Sequence, residues 1–285
     1  MARFINALGF LTIIKIPGKN IQKTGVIADS TVYFPLVGIM MGLVMALFYY
    51  GGSFVFPGFI LAILLVMLEI VLSGGSHLDG LSDMFDGVFS GRSSKRKILE
   101  IMKKSDIGVF GLLSIIFLLL LKTAFLYYLA GMRQGSGLYF YLAIIFMPAF
   151  GRWSMVNLMA RHKNARSRGS LAETFMGSRS RRKNLYISTI YLVLLFFAAH
   201  VLVGCFWGGG TSGPGFMQNL EGTYRLLFLM AGALAVLIIL YPILLLVSWF
   251  FTRRIGGITG DIIGGTGEIT ELAYLMVSFL ILRFI

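Results

Sequence analysis

Long apolar runs separated by short polar segments dominate the residue pattern of this 285-residue chain. An α-helix needs about 20 consecutive apolar residues to cross the hydrocarbon layer of a membrane. Seven runs approach or exceed this length, and they cover residues 33–50, 54–73, 108–130, 138–160, 185–206, 224–250 and 269–285. The pattern therefore predicts an all-α fold, a polytopic bundle of about seven transmembrane helices. We expect residues 1–285 to form a single integral membrane domain.

Two shorter stretches have the periodicity of amphipathic helices. Residues 2–14 place apolar side chains at helical spacing, and we expect them to form a helix lying at the membrane interface. Residues 95–104 alternate apolar and basic positions, which predicts a short amphipathic cytoplasmic helix that rests on anionic headgroups, binds substrate phosphates, or does both. Within the first span, Gly38 and Gly42 form a small-residue pair suited to close helix contact.

The composition excludes an ordinary soluble domain. Hydrophobic residues make up 57% of the chain and charged residues only 13%, with a mean hydropathy of +0.85. The single cysteine, Cys205, excludes an intramolecular disulfide. Although the formal net charge is +13, the basic residues lie between hydrophobic spans and not among stacking aromatics. We therefore expect a lipid bilayer as partner and no nucleic acid.

The distribution of positive charge predicts the orientation of the chain. Alternate connecting segments, at residues 1–31, 74–106, 161–184 and 252–268, hold 20 of the 25 Lys and Arg residues. Positively charged loops stay in the cytoplasm. We therefore predict a multi-pass protein of the cell (inner) membrane, with its N-terminus inside and these segments facing the cytoplasm.

An acidic motif at residues 77–87 is the first candidate site. The chain has only 12 acidic residues, yet Asp79, Asp83 and Asp86 fall within eight positions. In a helix they would share an arc of roughly 60°. Carboxylates so arranged repel one another unless a cation lies between them, and Mg²⁺ prefers oxygen ligands. His77 would lie on the opposite side of the helix, so we do not expect it to be a ligand.

A second acidic group, at residues 256–271, lies on the same predicted membrane face. Asp261 and Glu268 are seven residues apart and would share one side of a helix, with glycines between them that allow another helix or a substrate to approach. Thr259 and Gly260 would place backbone donors at the helix start, beside the Asp261 carboxylate. This arrangement suits a phosphate and a metal ion.

Several charged residues lie within or beside the predicted spans. Arg152 would place a guanidinium group within the membrane. Burial of such a charge costs free energy, so we take Arg152 as a candidate functional residue. Lys122 and Glu69 are also intramembrane, and they could pair with each other. Asp106 precedes the third span, where it could cap the helix. We expect the acidic residues to lie near the inner ends of the spans, with Glu69 deeper.

Carboxylates for Mg²⁺, with basic groups around them at a membrane face, favour phosphoryl or nucleotidyl transfer over acyl or redox chemistry. The Asp83–Gly87 segment partly resembles the CDP-alcohol phosphotransferase signature, but its Ala-Arg and its Gly-x-x-x-Asp-x-x-x-Asp half are absent. A cation transporter is an alternative from another class, and it predicts acidic residues lining a path near mid-membrane.

A resemblance to the cobalamin synthase family extends over nearly the whole chain. Residues 77–87, Gly91-Arg92 and residues 99–108 are similar to one family signature. The closing family motif is matched by Gly256 or Gly257 through Asp261, Gly264, Glu268 and Glu271.

The resemblance implies an adenosylcobinamide-GDP ribazoletransferase. In this reaction a hydroxyl of α-ribazole, or of its 5′-phosphate, attacks the cobinamide-linked phosphate of adenosylcobinamide-GDP, and GMP leaves. It implies Mg²⁺ as cofactor, and it leaves open whether the chain forms homo-oligomers. We assign Asp79, Asp83 and Asp86 to catalysis. The metal ligands would be the same three aspartates with Asp261 and Glu268, and the phosphate-binding residues Arg92, Lys103, Arg152, Thr259 and Gly260.

Overall fold

The computed structural model describes residues 2–15, 28–92, 94–104, 106–131, 133–165, 175, 180–207 and 222–284. Apart from a parallel bridge between Asn164 and Ile258, the regular structure in these ranges is helical. A 3₁₀ turn at Ser30–Tyr33 leads into the second helix. The helices are α1 (Ala2–Leu11), α2 (Phe34–Gly52), α3 (Gly58–Ser73), α4 (Ser76–Phe89), α5 (Lys95–Ile101), α6 (Val109–Gly131), α7 (Arg133–Arg161), α8 (Arg181–Trp207), α9 (Gly222–Ile255) and α10 (Gly260–Phe284).

The helical membrane bundle predicted from the apolar runs is confirmed. Among the described residues, six helices are long and apolar enough to span a membrane, and the bent pair α3–α4 makes a seventh if it counts as one span. The spanning part of α7 is almost entirely buried, whereas α6, α8 and α9 turn most of their side chains outward. The bundle is therefore built around α7, with α10 packed beside it.

A sharp bend separates α3 from α4. Gly74 and Gly75 both have left-handed backbone angles, with φ of 67° and 70°. Glycine adopts this conformation without the penalty that a Cβ atom imposes. The two helices consequently meet at 92°, and the acidic motif lies on a helix of its own instead of continuing the second span.

The start of the last span was predicted wrongly. We expected it at residue 269, but α10 begins at Gly260 and therefore contains Asp261, Glu268 and Glu271. Hydropathy falls at these carboxylates, which is why the pattern placed the start of the span too late. Glu268 and Glu271 are nevertheless buried, because cationic side chains of neighbouring helices pair with them.

Close contact between α2 and α7 depends on two glycines. A Cβ atom on Gly38 would meet the backbone of Pro148 and Ala149, and one on Gly42 would overlap the backbone of Ile145. The predicted small-residue pair is thus confirmed as a helix-contact site. It brings the second helix directly against the central one.

The contact predicts that Gly42→Ala destabilises the protein. The added methyl group forces the α2 and α7 backbones apart, and we expect a loss of about 1–3 kcal/mol. Thermal unfolding of the detergent-solubilised protein measures it. Gly51→Ala is the matched control, because a Cβ atom there meets nothing within 4 Å. Equal stability of the two variants would contradict the proposed close contact.

Candidate active site at the aspartate end of the bundle

The acidic motif forms α4, as its spacing predicted. Asp79 is exposed, and Asp83 and Asp86 are half-buried. The buried side of the same helix carries Leu81 and Met84, which are in the hydrophobic core. One face of α4 therefore packs into the bundle while the carboxylates lie on its outer side. We call the end of the bundle that holds α4 and the first turn of α10 the aspartate end.

Glycines let α4 and the first turns of α10 approach each other closely. A Cβ atom on Gly80 would lie 2.8 Å from the carbonyl oxygen of Asp261. On α10, a Cβ atom on Gly264 would lie 3.2 Å from the Cα atom of His77, and Gly265 abuts Leu81 in the same way. The two acidic motifs, which are far apart in sequence, therefore lie side by side. Of the two expectations for these glycines, approach of another helix is the one observed.

Thr259 organises the start of α10. Its side chain is fully buried, its Oγ1 accepts a hydrogen bond from the Ile262 amide at 3.3 Å, and its hydroxyl donates to Asp261 Oδ2 at 3.2 Å. This is an N-cap, which satisfies one of the amides that a helix start leaves unpaired. Gly260 follows it with open space around its Cα atom. The predicted helix start is confirmed, and a Cβ atom on Gly260 would meet nothing within 4 Å.

The beginning of the basic segment 161–184 pairs with the residues before α10. The amide of Ile258 donates to the Lys163 carbonyl at 2.9 Å, and the Ala165 amide donates to the Ile258 carbonyl at 2.8 Å. Partial burial and the charge of Arg161 lower the pKa of His162 beside this bridge. The pairing brings cationic side chains to the aspartate end. Residues 166–174 and 176–179 of the predicted basic segment lie outside the described residues.

Other cationic side chains surround the same end. Lys95 at the start of α5 has its Nζ 3.3 Å from where a Cβ atom on Gly256 would lie. Arg92 and Lys103, both predicted to bind phosphate, are exposed on either side of α5. The buried Ile98 and the exposed Lys97 confirm the amphipathic character of α5. Lys95 was not among the predicted site residues, since the sequence does not reveal its proximity to Gly256.

Asp86 anchors the start of α6. Its Oδ2 accepts a hydrogen bond from the Gly108 amide at 2.7 Å, and its Oδ1 accepts one from the Gly111 amide at 2.8 Å. A cap by Asp106 is one possibility from the sequence, but Asp106 is exposed and the carboxylate that accepts these amides comes from α4. Each carboxylate oxygen of Asp86 thus already accepts a hydrogen bond from a backbone amide of the α6 start. Its predicted role as metal ligand and catalytic group stays a prediction.

A cluster of buried charges lies deeper in the bundle. The Nζ of Lys122 on α6 lies 3.1 Å from Glu69, 2.7 Å from Glu268 and 2.5 Å from Glu271. Arg152 on α7 donates to Glu271 and lies 3.9 Å from Glu69. None of these five side chains is more than 8% exposed. The predicted pairing of Lys122 with Glu69 is confirmed, within a larger charge cluster.

The charge cluster contains two of the predicted site residues, Glu268 as a metal ligand and Arg152 as a phosphate-binding residue. Glu268 and Arg152 are both engaged by oppositely charged side chains inside the bundle, and Glu268 lies two turns beyond Asp261 along α10. The expectation that Glu69 alone lies deep is therefore wrong, because Glu268 and Glu271 lie there too. Their neutralisation by Lys122 and Arg152 is what makes this depth tolerable.

The carboxylates at the aspartate end suit Mg²⁺ in their chemistry. Among the described residues, no three His, Cys, Asp or Glu side chains lie close enough together to hold a metal ion by themselves. Mg²⁺ is seldom held in an all-protein cage, since it keeps several waters and usually binds one or two carboxylates together with substrate phosphates. The exposed Asp79, with Asp83 and Asp261 half-buried, provides such oxygen donors.

Comparisons with known proteins agree in one family. The family model of cobalamin-5-phosphate synthase matches residues 3–279. The chain is similar to the adenosylcobinamide-GDP ribazoletransferase of Roseiflexus sp. (strain RS-1), with 34% identity over 94% of this chain and 86% of the relative. It is 32% identical to the enzyme of the same name from Clostridioides difficile (strain 630), over 99% of this chain and 98% of the relative. No solved structure matches the chain.

The charge cluster predicts a large stability loss for Lys122→Met. Removing the ammonium group leaves three buried carboxylates with Arg152 as their remaining cation, and we expect a loss of about 3–5 kcal/mol. Thermal unfolding in detergent measures the loss. Arg96→Met is the control, since it breaks the exposed Arg96–Glu100 pair and should cost less than about 1 kcal/mol. Similar losses for both variants would refute the structural importance of the cluster.

The contacts of Asp86 predict that Asp86→Ala destabilises α6. Loss of a capping carboxylate costs about 0.5–2 kcal/mol, and here two amides lose their acceptor. Chemical unfolding of the purified protein measures the difference. The control is Asp79→Ala on the exposed side of the same helix, with an expected change within about 0.5 kcal/mol. A stable Asp86→Ala variant would argue against the anchoring role.

Proposed function

Because the chain belongs to the cobalamin-5-phosphate synthase family, we propose that it is an adenosylcobinamide-GDP ribazoletransferase. It would transfer the cobinamide phosphate of adenosylcobinamide-GDP to α-ribazole, or to α-ribazole 5′-phosphate, and release GMP. The observation that carries the proposal is the contact of α4 with α10 at Gly80 and Asp261, which joins the two acidic motifs at one end of the bundle.

Asp79, Asp83 and Asp261 are the residues that would hold Mg²⁺ in this proposal. When bound, the ion would neutralise charge on the substrate diphosphate. Asp79 is exposed, and the other two are half-buried, so all three carboxylates lie at the surface of the aspartate end. Glu268 is less suited to this role, because Lys122 already engages it inside the bundle.

Cationic and backbone groups would bind the phosphates. Arg92 and Lys103 are exposed near α4, and the uncrowded Gly260 begins a helix whose amides favour anions. Lys95, close to Gly256, is an additional candidate. These groups would hold the diphosphate while a carboxylate of α4 orients the attacking ribazole hydroxyl and accepts its proton. GMP then departs with the electron pair of the broken phosphoanhydride bond.

The proposed location of this chemistry is the cytoplasmic face of the cell membrane. The segments that follow α4 and α7 are rich in Lys and Arg, and such segments stay in the cytoplasm. Both segments begin at the aspartate end of the bundle. The charged substrates would then reach the site from the cytoplasm without crossing the membrane.

The proposal predicts that the purified protein, supplied with Mg²⁺, adenosylcobinamide-GDP and α-ribazole, releases GMP and forms cobalamin. Chromatography of both products over time measures the turnover. Asp83→Ala should lower turnover about a hundredfold to a thousandfold without unfolding the protein, because it removes a proposed metal ligand. Glu100→Ala is the control and should keep the turnover of the wild type, since Glu100 pairs only with the exposed Arg96 among the ion pairs of the described residues.

Two outcomes would contradict the proposal. Absence of turnover in a folded wild-type sample would remove the assigned reaction. Full activity of Asp83→Ala would instead leave the reaction in place and remove Asp83 from its machinery.

A further inference from the structure

An apolar groove of about 490 Å³ lies between α7, α8 and α9, apart from the aspartates and the charge cluster. Its floor is formed by α7, and α8 and α9 form its two walls. Trp153 on the floor is held to α8 by a hydrogen bond from its Nε1 to Thr189 Oγ1 at 2.8 Å. The lining includes Trp153, Arg161, Thr189, Ile190, Ile238 and Tyr241.

The groove opens towards the bilayer. Ile190 on one wall and Ile238 on the other are 59% and 62% exposed, and α8 and α9 are among the outward-facing helices. Along α7 the groove runs from Arg161 to Phe150, a distance of roughly 16 Å at the helical rise. One half of a membrane's roughly 30 Å hydrocarbon core has about this depth. The apolar part of the groove therefore matches the length of an acyl chain in one leaflet.

The groove has a single cationic end. Arg161 is the last residue of α7, and its guanidinium donates a hydrogen bond to the Tyr241 hydroxyl while lying 5.6 Å from the centre of the ring. No carboxylate in the described part of the chain pairs with it. Arg253 and Arg254 lie in the last turn of α9 at the same side of the bundle, but neither residue lines the groove. An occupant with an apolar body and an anionic head would thus be complementary in both shape and charge.

We infer that this groove binds one anionic phospholipid. Its acyl chain lies against Trp153 and between Ile190 and Ile238, and its phosphate contacts the Arg161 guanidinium. The contact reaches the aspartate end, because Lys163, two residues after Arg161, pairs with the segment that precedes α10. The bound lipid therefore steadies the backbone next to Thr259 and Asp261. This inference does not depend on the reaction assigned to the chain.

Lipid retention and thermal shift test the inference. The purified full chain, delipidated in detergent, is mixed with phosphatidylglycerol or with phosphatidylcholine of the same acyl chains. We expect phosphatidylglycerol alone to raise the unfolding temperature and to remain bound in native mass spectrometry. Arg161→Gln should weaken phosphatidylglycerol binding about tenfold or more, as expected for the loss of one charge-assisted contact. Ile190→Trp should have a similar effect, because the indole ring that it introduces is larger than the isoleucine side chain and fills the groove.

Matched variants separate the groove from general membrane affinity. Arg253→Gln removes the same charge at the same side of the bundle, and Leu194→Trp enlarges an outward-facing residue one turn along α8, but neither residue lines the groove. Both should retain phosphatidylglycerol like the wild type. Equal retention by all four variants would overturn the inference. So would unchanged lipid retention with a raised KM for α-ribazole in Arg161→Gln and Ile190→Trp, since the groove would then belong to the substrate.

Discussion

Lys122 connects the interior of this bundle, because its ammonium group contacts carboxylates from both α3 and α10. Arg152 extends the network to α7, so four helices meet at one set of buried charges. Such charges lose their hydration on burial, and only pairing of good geometry offsets that loss. The network consequently specifies which helix faces may meet. Any shift of α10 along its axis would separate Glu268 and Glu271 from their cations.

The position of the aspartates follows from this constraint together with glycine geometry. The charge cluster sets the depth of α10, and the left-handed Gly74 and Gly75 turn α4 out of the second span. Gly80 then allows α4 to lie against the first turn of α10. Asp86 adds a bond to α6. The position of the surface aspartates thus depends on buried charges and close glycine contacts beneath them.

The features that depend on local residue pattern can be predicted from the sequence. The apolar runs indicated the helices, the Gly38–Gly42 spacing indicated close packing, and intramembrane charge indicated the Lys122–Glu69 pair. Features set by distant contacts were missed. The depth of Glu268 depends on Lys122, which is 146 positions away in sequence, so hydropathy alone placed the start of the last span too late. The Asp86 cap over Gly108 has the same origin, since nothing near α6 reveals that its capping group comes from α4.

The charge cluster also has a consequence for biogenesis. α3, α6 and α7 each enter the membrane with a charge, and the lasting partners of the two cations, Lys122 and Arg152, include the glutamates of α10. A lone charge near the centre of a helix costs about 2.5–3.5 kcal/mol on insertion scales. Since α10 follows the other three in the chain, its two glutamates arrive after both cations have been inserted. The partly synthesised protein therefore holds an excess of positive charge in the bilayer until α10 brings in Glu268 and Glu271. Insertion of α10 is in this way coupled to the pairing of these buried charges.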